Sequence, residues 1–345
     1  MTTIPDSMRV SVLHAPTDIR IEERPVPTPR PDEVLVQVAS VGVCGSDVHY
    51  YEHGRIGDFV VNDPLILGHE PSGRIVAVGA DVPSERIGQR VSLEPGVPCR
   101  HCSQCRRGAY NLCPDIVFFA TPPVDGAFSE YVALAADFAY PVPDSMSDDA
   151  AALIEPLSVG VWANRKAGTA AGSRLLVTGA GPVGLLVMQV AKAMGAAEVV
   201  VSDVDPDRLA LARQLGATAV LDPREASPAE SGIEVDAFVD CSGAAPAVAT
   251  GIPVVRGGGA VVLVGMGGEE MTLPISLVQT RELSLTGTFR YANTWPAAIA
   301  LAANGDVDLD SLVTGHVDLE HAEDSLAPDG AAKHVKIVVR PNGLA

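Results

Sequence analysis

Basic side chains are the scarce charge in this chain: 24 Lys and Arg stand against 43 Asp and Glu, a formal net charge of −19 over 345 residues. Nucleic acid and anionic membrane surfaces both attract clustered Lys and Arg, so neither is expected as a partner. Strongly anionic substrates are disfavoured for the same reason. Long apolar runs are lacking too. The best stretch, from Leu175 to Val201, is cut by glycines, Gln189, Lys192 and Glu198, which excludes a membrane span there. The opening MTTIPDSMRV has neither the basic nor the apolar segment of an export signal, so a cytoplasmic protein is expected. There is no internal repeat and no low-complexity tract. Cysteine numbers only six; in a reducing compartment such residues serve metals or catalysis before disulfides.

What is present is 47% hydrophobic, with 33 Gly and 27 Pro, the composition of turn-rich globular structure at a length that favours two domains. In the first third Val34, Val36 and Val38 alternate with Leu35, Gln37 and Ala39, the period of a strand. Arg74–Val78, Arg90–Leu93 and Phe128–Leu134 repeat the signal after glycines, predicting a small barrel or sandwich. Near residue 147 the period changes. Ser147-Asp-Asp reads as a helix start, interrupted at Pro156 and continued to about Lys166. Strands and helices then alternate: strand Arg174–Thr178, helix Pro182–Met194, strand Glu198–Asp203, helix Pro206–Leu215. Further strands fit Asp236–Asp240, Ala260–Val264 and Leu283–Thr286, the rhythm of a parallel sheet covered on both faces. After Phe289 only a helix from Pro296 to Ala303 and a closing strand Lys336–Arg340 remain. The chain is therefore expected to return and complete its first domain. The expected division is 1–156 with 291–345, and an inserted domain at 157–290.

The turn Gly179-Ala-Gly181-Pro182-Val183-Gly184 follows a predicted strand and opens a predicted helix. Asp203 ends the next strand. In that context the glycines let the backbone approach a pyrophosphate on the helix N-terminus. The Asp203 carboxylate would take both adenosine-ribose hydroxyls and repel a 2′-phosphate, favouring NAD over NADP. Arg208 lies within reach of the same pocket.

Cys99, Cys102, Cys105 and Cys113 are spaced C-x2-C-x2-C-x7-C. Four such thiolates can close a tetrahedral shell on Zn²⁺, leaving no open position, so this site is structural. An iron–sulfur cluster is the rival occupant. His101 reads as a bystander and Cys241 as an ordinary buried cysteine. Upstream, the stretch CGSDVHYYEHGRIGDFVVNDPLILGHE from Cys44 to Glu70 is broken by glycines and a proline and reads as a ligand-bearing loop. Cys44, His69 and Glu70 offer sulfur, nitrogen and oxygen, too few donors for a closed shell but enough for a catalytic metal whose shell water completes.

The passages VGVCGSDVHYYEHGRIGDFVV, LGHEPSG, FFATPP, ALIEPLSVG, GAGPVG and TGTFRY, in order from residue 41 to 291, resemble the zinc-dependent medium-chain alcohol dehydrogenases, and within them the polyol (sorbitol, xylitol, L-iditol) dehydrogenases. The resemblance implies a GroES-like β-barrel catalytic domain with an inserted Rossmann domain, the catalytic zinc lying in the cleft. It implies Cys44, His69 and Glu70 as zinc ligands, with Glu155 binding the metal or holding its water. Many polyol dehydrogenases lack the four-cysteine zinc; this chain keeps all four, so two zinc ions per chain are expected. Ser46 and His49 match the family's proton relay, while Glu52 and His53 drop out as scaffold. Tyr50, Arg290 and Tyr291 match substrate contacts, with Phe118 as a wall. Val264, Gly265, Met266, Thr288, Phe289 and Arg290 join the expected cofactor contacts.

The function implied is NAD-dependent oxidation of a polyol's C2 hydroxyl to a ketose, in a homotetramer. Alternatives are the same chemistry on L-threonine, 2,3-butanediol or an aldonic acid, or a non-catalytic descendant that would have lost ligands.

Overall fold

The computed structural model describes residues 4–268, 270–327 and 334–343; the parts of the expected domain spans at 1–3, 269, 328–333 and 344–345 lie outside them. Two compact units are formed. One comprises Met1–Glu155 with Leu309–Ala345, the other Pro156–Asp308.

In the first unit the strand Glu33–Gly42 is the centre of a seven-stranded sheet. Glu70–Val78 and Tyr131–Ala135 pair with it antiparallel, and Lys336–Arg340 joins at its far end through Val338↔Gly42 and Val339↔Val41. The C-terminal strand Lys336–Arg340 belongs to the first unit. A smaller sheet of Asp18–Pro25, Ser7–Ala15 and Leu65–Ile66 closes over the core. Val10, Val12, Leu13, Val34, Val36, Val38, Leu67, Ile75 and Phe128 fill that core, all fully buried. The period-two pattern is kept only in part: Leu35, between Val34 and Val36, is buried as well, so burial along the central strand is nearly continuous. Phe128, expected inside a strand, instead precedes Tyr131–Ala135 and lies against Gly68, where a Cβ would come 2.5 Å from its ring.

The second unit carries a six-stranded, wholly parallel sheet in the order Ala219–Leu221, Glu198–Ser202, Arg174–Thr178, Val235–Asp240, Val255–Leu263, Ser284–Gly287. That is the doubly wound Rossmann order, with its switch point beside Arg174–Thr178. This unit runs past the expected boundary at 290. Arg165 donates to the Asn293 carbonyl, and Gln189 exchanges two hydrogen bonds with Asp308. These bonds hold the segment to Asp308, including the helix Trp295–Ala303, on the parallel-sheet unit.

Two local expectations are also corrected. The helical stretch from Asp148 breaks at Leu153, not at Pro156, and resumes as Ile154–Ala167. Pro156 falls in the first turn, where its missing N–H has no intrahelical partner to lose. Residues Gly45–His53 form a helix where a loop was expected. The interior of GSDVHYYEH holds neither Gly nor Pro, and Gly54, left-handed at φ 66°, stops it by returning its N–H to Tyr50 O. Among the described residues no helix is long and apolar enough to cross a membrane.

Candidate active site and its cofactor cradle

Cys44 sits at the N-cap of the helix Gly45–His53, and His69 and Glu70 lead into the strand Glu70–Val78. Their ligand atoms all lie within 4.8 Å of one another. A tetrahedral zinc with bonds of about 2.0–2.3 Å needs its ligand atoms roughly 3.5 Å apart, so the three fit that ion's donor chemistry and spacing. His69 and Glu70 are buried and Cys44 is half-buried; three donors leave a fourth tetrahedral position to water or substrate.

The side chain that assembles this set went unread in the sequence. Asp47, fully buried, accepts from Cys44 N at 3.0 Å through Oδ2 and from Gly68 N at 2.9 Å through Oδ1. It thereby ties the two ends of the ligand stretch together. Its Oδ1 also lies 3.5 Å from His69 Nδ1, the carboxylate–histidine pairing that fixes a ligating ring. Burial opposes ionisation of both groups. Their mutual attraction still holds Asp47 below the usual carboxylate range and His69 well above an ordinary histidine; zinc would have to displace that ring proton. The legible signal was position: Asp47 is the third helical residue after Cys44, where an acidic side chain reaches back to the cap.

Lys336 was missed as well, and it lies in the first unit at 3% exposure. It donates to Val43 O at 2.8 Å and to Glu70 Oε1 at 2.7 Å. Burial works to lower the ammonium pKa, but Glu70 foremost, then Cys44 and Glu155, keep it above the usual lysine value.

Phe118 stands over His69 with ring centroids 5.9 Å apart, and Tyr50 is buried at 4% exposure. Glu155 is buried but is not one of the three clustered ligands. Ser46 is half-buried in the first helical turn; His49 is exposed and meets His53 edge-on at 4.6 Å.

The four lobe cysteines come together as their spacing predicts, with all Sγ atoms within 4.8 Å. Backbone N–H groups of Cys99, Cys102 and Cys105 point at the sulfurs of Cys113, Cys99 and Cys102 at 3.4–3.5 Å. Such donors favour thiolates. The amide of Cys105 brings the Cys102 thiol down to about 7. His101 instead turns its Nδ1 to Cys99 O. From inside the lobe Tyr110 donates 2.6 Å to Glu94 Oε1. Burial is the main cause raising the Glu94 carboxyl to about 7, with Glu155 adding to it against the hydrogen bonds of Tyr110 and Tyr140.

In the second unit each fingerprint glycine has its own reason. Gly179 has φ 87°, and a Cβ there would meet Cys241 C and Ser242 N at 2.9 Å. A Cβ on Gly184 would lie 1.8 Å from Gly179 O, so this glycine lets helix Pro182–Ala193 close on its strand. Gly181, the N-cap, faces nothing within 4 Å. That open approach to a helix N-terminus is what a pyrophosphate requires. Asp203 accepts from Ala180 N at 2.6 Å and Asp205 N at 2.9 Å, so its carboxylate borders the glycine turn. Arg208 lies 3.7 Å from Asp205.

Asp240, also missed, is 1% exposed and binds Thr178 Oγ1, Ser242 Oγ and Gly243 N. It shapes the turn on which Gly179 rests, and Cys241 in that turn is half-buried, not fully buried. Thr288 N donates to Leu263 O at 2.9 Å, bringing Thr288, Phe289 and Arg290 beside Val264, Gly265 and Met266 at the carboxyl ends of adjacent strands. Met266 and Phe289 are exposed there, at 67% and 45%. Arg290 stacks over the Phe289 ring at 4.7 Å, whereas Tyr291 is buried against Trp295.

Residues 30–144 match the family model of the alcohol dehydrogenase GroES-like domain, and 182–304 that of the zinc-binding dehydrogenases. The chain is 45% identical to the sorbitol dehydrogenase of Gallus gallus over 337 residues, 95% of each chain. The chain belongs to the zinc-dependent medium-chain alcohol dehydrogenases, in their polyol dehydrogenase group. The sorbitol dehydrogenase of Bacillus subtilis is 43% identical over 99% of each chain. The L-idonate 5-dehydrogenase of Escherichia coli K-12 superposes with a TM-score of 0.91 at 30% identity, covering 97% of this chain and 98% of its own. Family membership thus rests on nearly the whole length. The GroES-like barrel and the Rossmann sheet are the family's two parts, and the two donor sets described above both lie in the first.

Proposed function

We propose that this chain oxidises the C2 hydroxyl of a sugar alcohol such as sorbitol, xylitol or L-iditol to the ketose, reversibly, using NAD and zinc. The supporting observation is the clustered, incompletely closed set Cys44, His69 and Glu70 in a chain so similar to sorbitol dehydrogenases over its whole length. Those three residues would hold a catalytic zinc, and Cys99, Cys102, Cys105 and Cys113 a structural one. Bound at the open set, zinc would supply Lewis acidity toward a substrate hydroxyl, and NAD would supply the hydride acceptor for the carbon bearing that hydroxyl. The residues 1–155 with 309–345 form the catalytic domain in this reading, and 156–308 the NAD-binding domain.

The chain's own groups divide the remaining work. Asp47 holds His69 in orientation. Ser46 and His49 carry the hydroxyl proton outward, and Glu155 holds the water or substrate oxygen next to the metal. Tyr50, Phe118, Arg290 and Tyr291 contact the polyol, Arg290 with several donors suited to a row of hydroxyls. Gly179, Gly181 and Gly184 cradle the pyrophosphate, and Asp203 takes the adenosine ribose. Asp203 repels a 2′-phosphate, which favours NAD. A cytoplasmic homotetramer completes the proposal, to be checked by light scattering.

The test is a panel of sorbitol, xylitol, L-iditol, L-threonine, 2,3-butanediol and an aldonic acid with NAD, on protein assayed for zinc. Turnover of the polyols above the others, with about two zinc per chain, is expected. Preference for threonine or butanediol sinks the polyol assignment; one zinc per chain and no turnover would mark a non-catalytic protein.

A further inference from the structure

The buried ion pair beside the open donor set has a geometry that strand register dictates. The strand Glu33–Gly42 runs between Glu70–Val78 and Lys336–Arg340. Gly42 is opposite Glu70 on one side and Val338 on the other. Glu70 and Lys336 therefore start from different neighbours of one strand and must meet across it. They do so over Gly42. A Cβ at that position would lie 2.0 Å from Glu70 Oε2 and 2.9 Å from Lys336 Cε. Only a residue without a side chain leaves the passage open.

The pair is almost fully enclosed, with side-chain exposures of 3% for Lys336 and 1% for Glu70. Nζ donates to Glu70 Oε1 at 2.7 Å and to Val43 O at 2.8 Å. It lies 2.6 Å from Oε2 as well, yet Oε2 has no partner in hydrogen-bond geometry. Lys336 thus holds both oxygens of a carboxylate whose residue clusters with Cys44 and His69 as a donor. Val43, the second anchor, directly precedes Cys44 in the chain. The Val43 contact places the ammonium, and the donor residue it then holds is Glu70.

We propose that Lys336 is a positioning residue of the metal site, fixing the Glu70 carboxylate as a ligand with Gly42 providing the gap. This rests on the reading of Cys44, His69 and Glu70 as the catalytic zinc set. The physical reason is geometric. A buried carboxylate without an anchor loses its fixed orientation, and a carboxylate turned away from Cys44 and His69 is a donor removed from the set. Burying that carboxylate also costs less beside a buried ammonium than alone.

The experiment follows zinc itself. The full-length holoprotein carrying K336M or K336Q is challenged with a chromophoric chelator, zinc per chain is counted over time, and the cysteine-lobe zinc serves as an internal control for folding. The two variants are used because methionine removes both charge and donor, whereas glutamine keeps a donor and is the milder change. Each is repeated on an E70Q background, and cobalt-substituted samples are compared by visible spectrum. The expected result is loss of the catalytic zinc at least tenfold faster than in wild type, an altered cobalt ligand-field band, and unchanged lobe zinc. On the E70Q background the lysine substitution should add no more than about a twofold change, because Lys336 acts through Glu70.

Wild-type release rates and spectra in either folded variant would overturn the proposal. So would an equal effect with and without Glu70, which marks a purely structural lysine. If wild type itself takes up no zinc at Cys44, His69 and Glu70, the functional reading fails instead, and the two failures are told apart by that control.

Discussion

The two donor sets of the first unit are built in opposite ways. The cysteine lobe gathers its four ligands from Cys99 to Cys113, one short segment whose own backbone amides face the sulfurs. The open set draws Cys44 from a helix cap and His69 with Glu70 from the start of a strand, and depends on Asp47 and Lys336 to align them. A local chelate is nearly autonomous: its metal replaces a core that so short a loop cannot have. The open set is an outcome of tertiary register, and its supporting shell is spread from residue 42 to 336. The first should therefore fail as a folding unit and the second as a chemical one.

The sharpest way to break that contrast is to remove one thiolate from each. C44S should lower kcat at least 10³-fold, as loss of a catalytic metal ligand does, while the melting temperature moves little and about one zinc per chain remains. C113S should cost several kcal/mol of stability because the structural site contributes folding energy directly. Metal counting alongside thermal unfolding reads both. Equal melting-temperature losses in the two variants would erase the distinction.

Glu94 tests whether the lobe is as independent as its sequence suggests. Tyr110 ties it to this carboxyl, which sits at about 7 in the folded chain against an ordinary value near 4.5. The fold therefore binds more protons than the unfolded chain between those limits. This contribution is fully present below about pH 4.5, declines as pH rises through 7, and is absent above, a change on the order of 3 kcal/mol. E94Q, neutral throughout and still able to accept from Tyr110, should flatten the dependence of unfolding free energy on pH across that window. An unchanged slope in E94Q would place the titration elsewhere.

How much of this was legible follows the same division. The four-cysteine spacing, the fingerprint glycines and the strand–helix rhythm are local patterns, and the structure brings each together where local physics puts it. The ligand stretch was misread as a loop because Gly45, Gly54, Gly57 and Pro64 punctuate it, although the nine residues Gly45–His53 make a helix capped at both ends. Lys336 could not be read at all. In KIVVR it looks like the polar edge of a strand, and only pairing of that strand with Val41 and Gly42 places it on Glu70. Asp240 is partly similar: Thr178 reaches it from the end of a neighbouring strand, while Ser242 and Gly243 bind it from the turn that follows. The segment 291–308 joined the parallel-sheet unit through Arg165 and Gln189, contacts that no local period announces.

Asp47 carries the next effect. D47A removes the carboxylate from His69 and from two backbone amides that hold the stretch closed. Loss of such a supporting partner costs about 10–100-fold in metal affinity or activity, more than a lost helix cap would at about 1 kcal/mol. Zinc affinity at the open set should fall while the cysteine lobe keeps its ion. If both sites lose zinc together, Asp47 supports the fold and not the chemistry.

The smallest effect belongs to the second unit, where the cradle is local again. Asp203 already accepts from Ala180 N and Asp205 N, so its carboxylate is held in place before any cofactor arrives. D203A removes both the acceptor for ribose hydroxyls and the charge that opposes a 2′-phosphate. The KM for NAD should rise by about tenfold, the scale of one lost charge-assisted hydrogen bond, while that for NADP falls or stays. Because Asp203 also braces the glycine turn, a general slackening of the cradle is the competing outcome, and it would weaken both cofactors alike. The ratio of the two constants separates these: a shift toward NADP assigns Asp203 to cofactor choice, and a constant ratio assigns it to the turn alone.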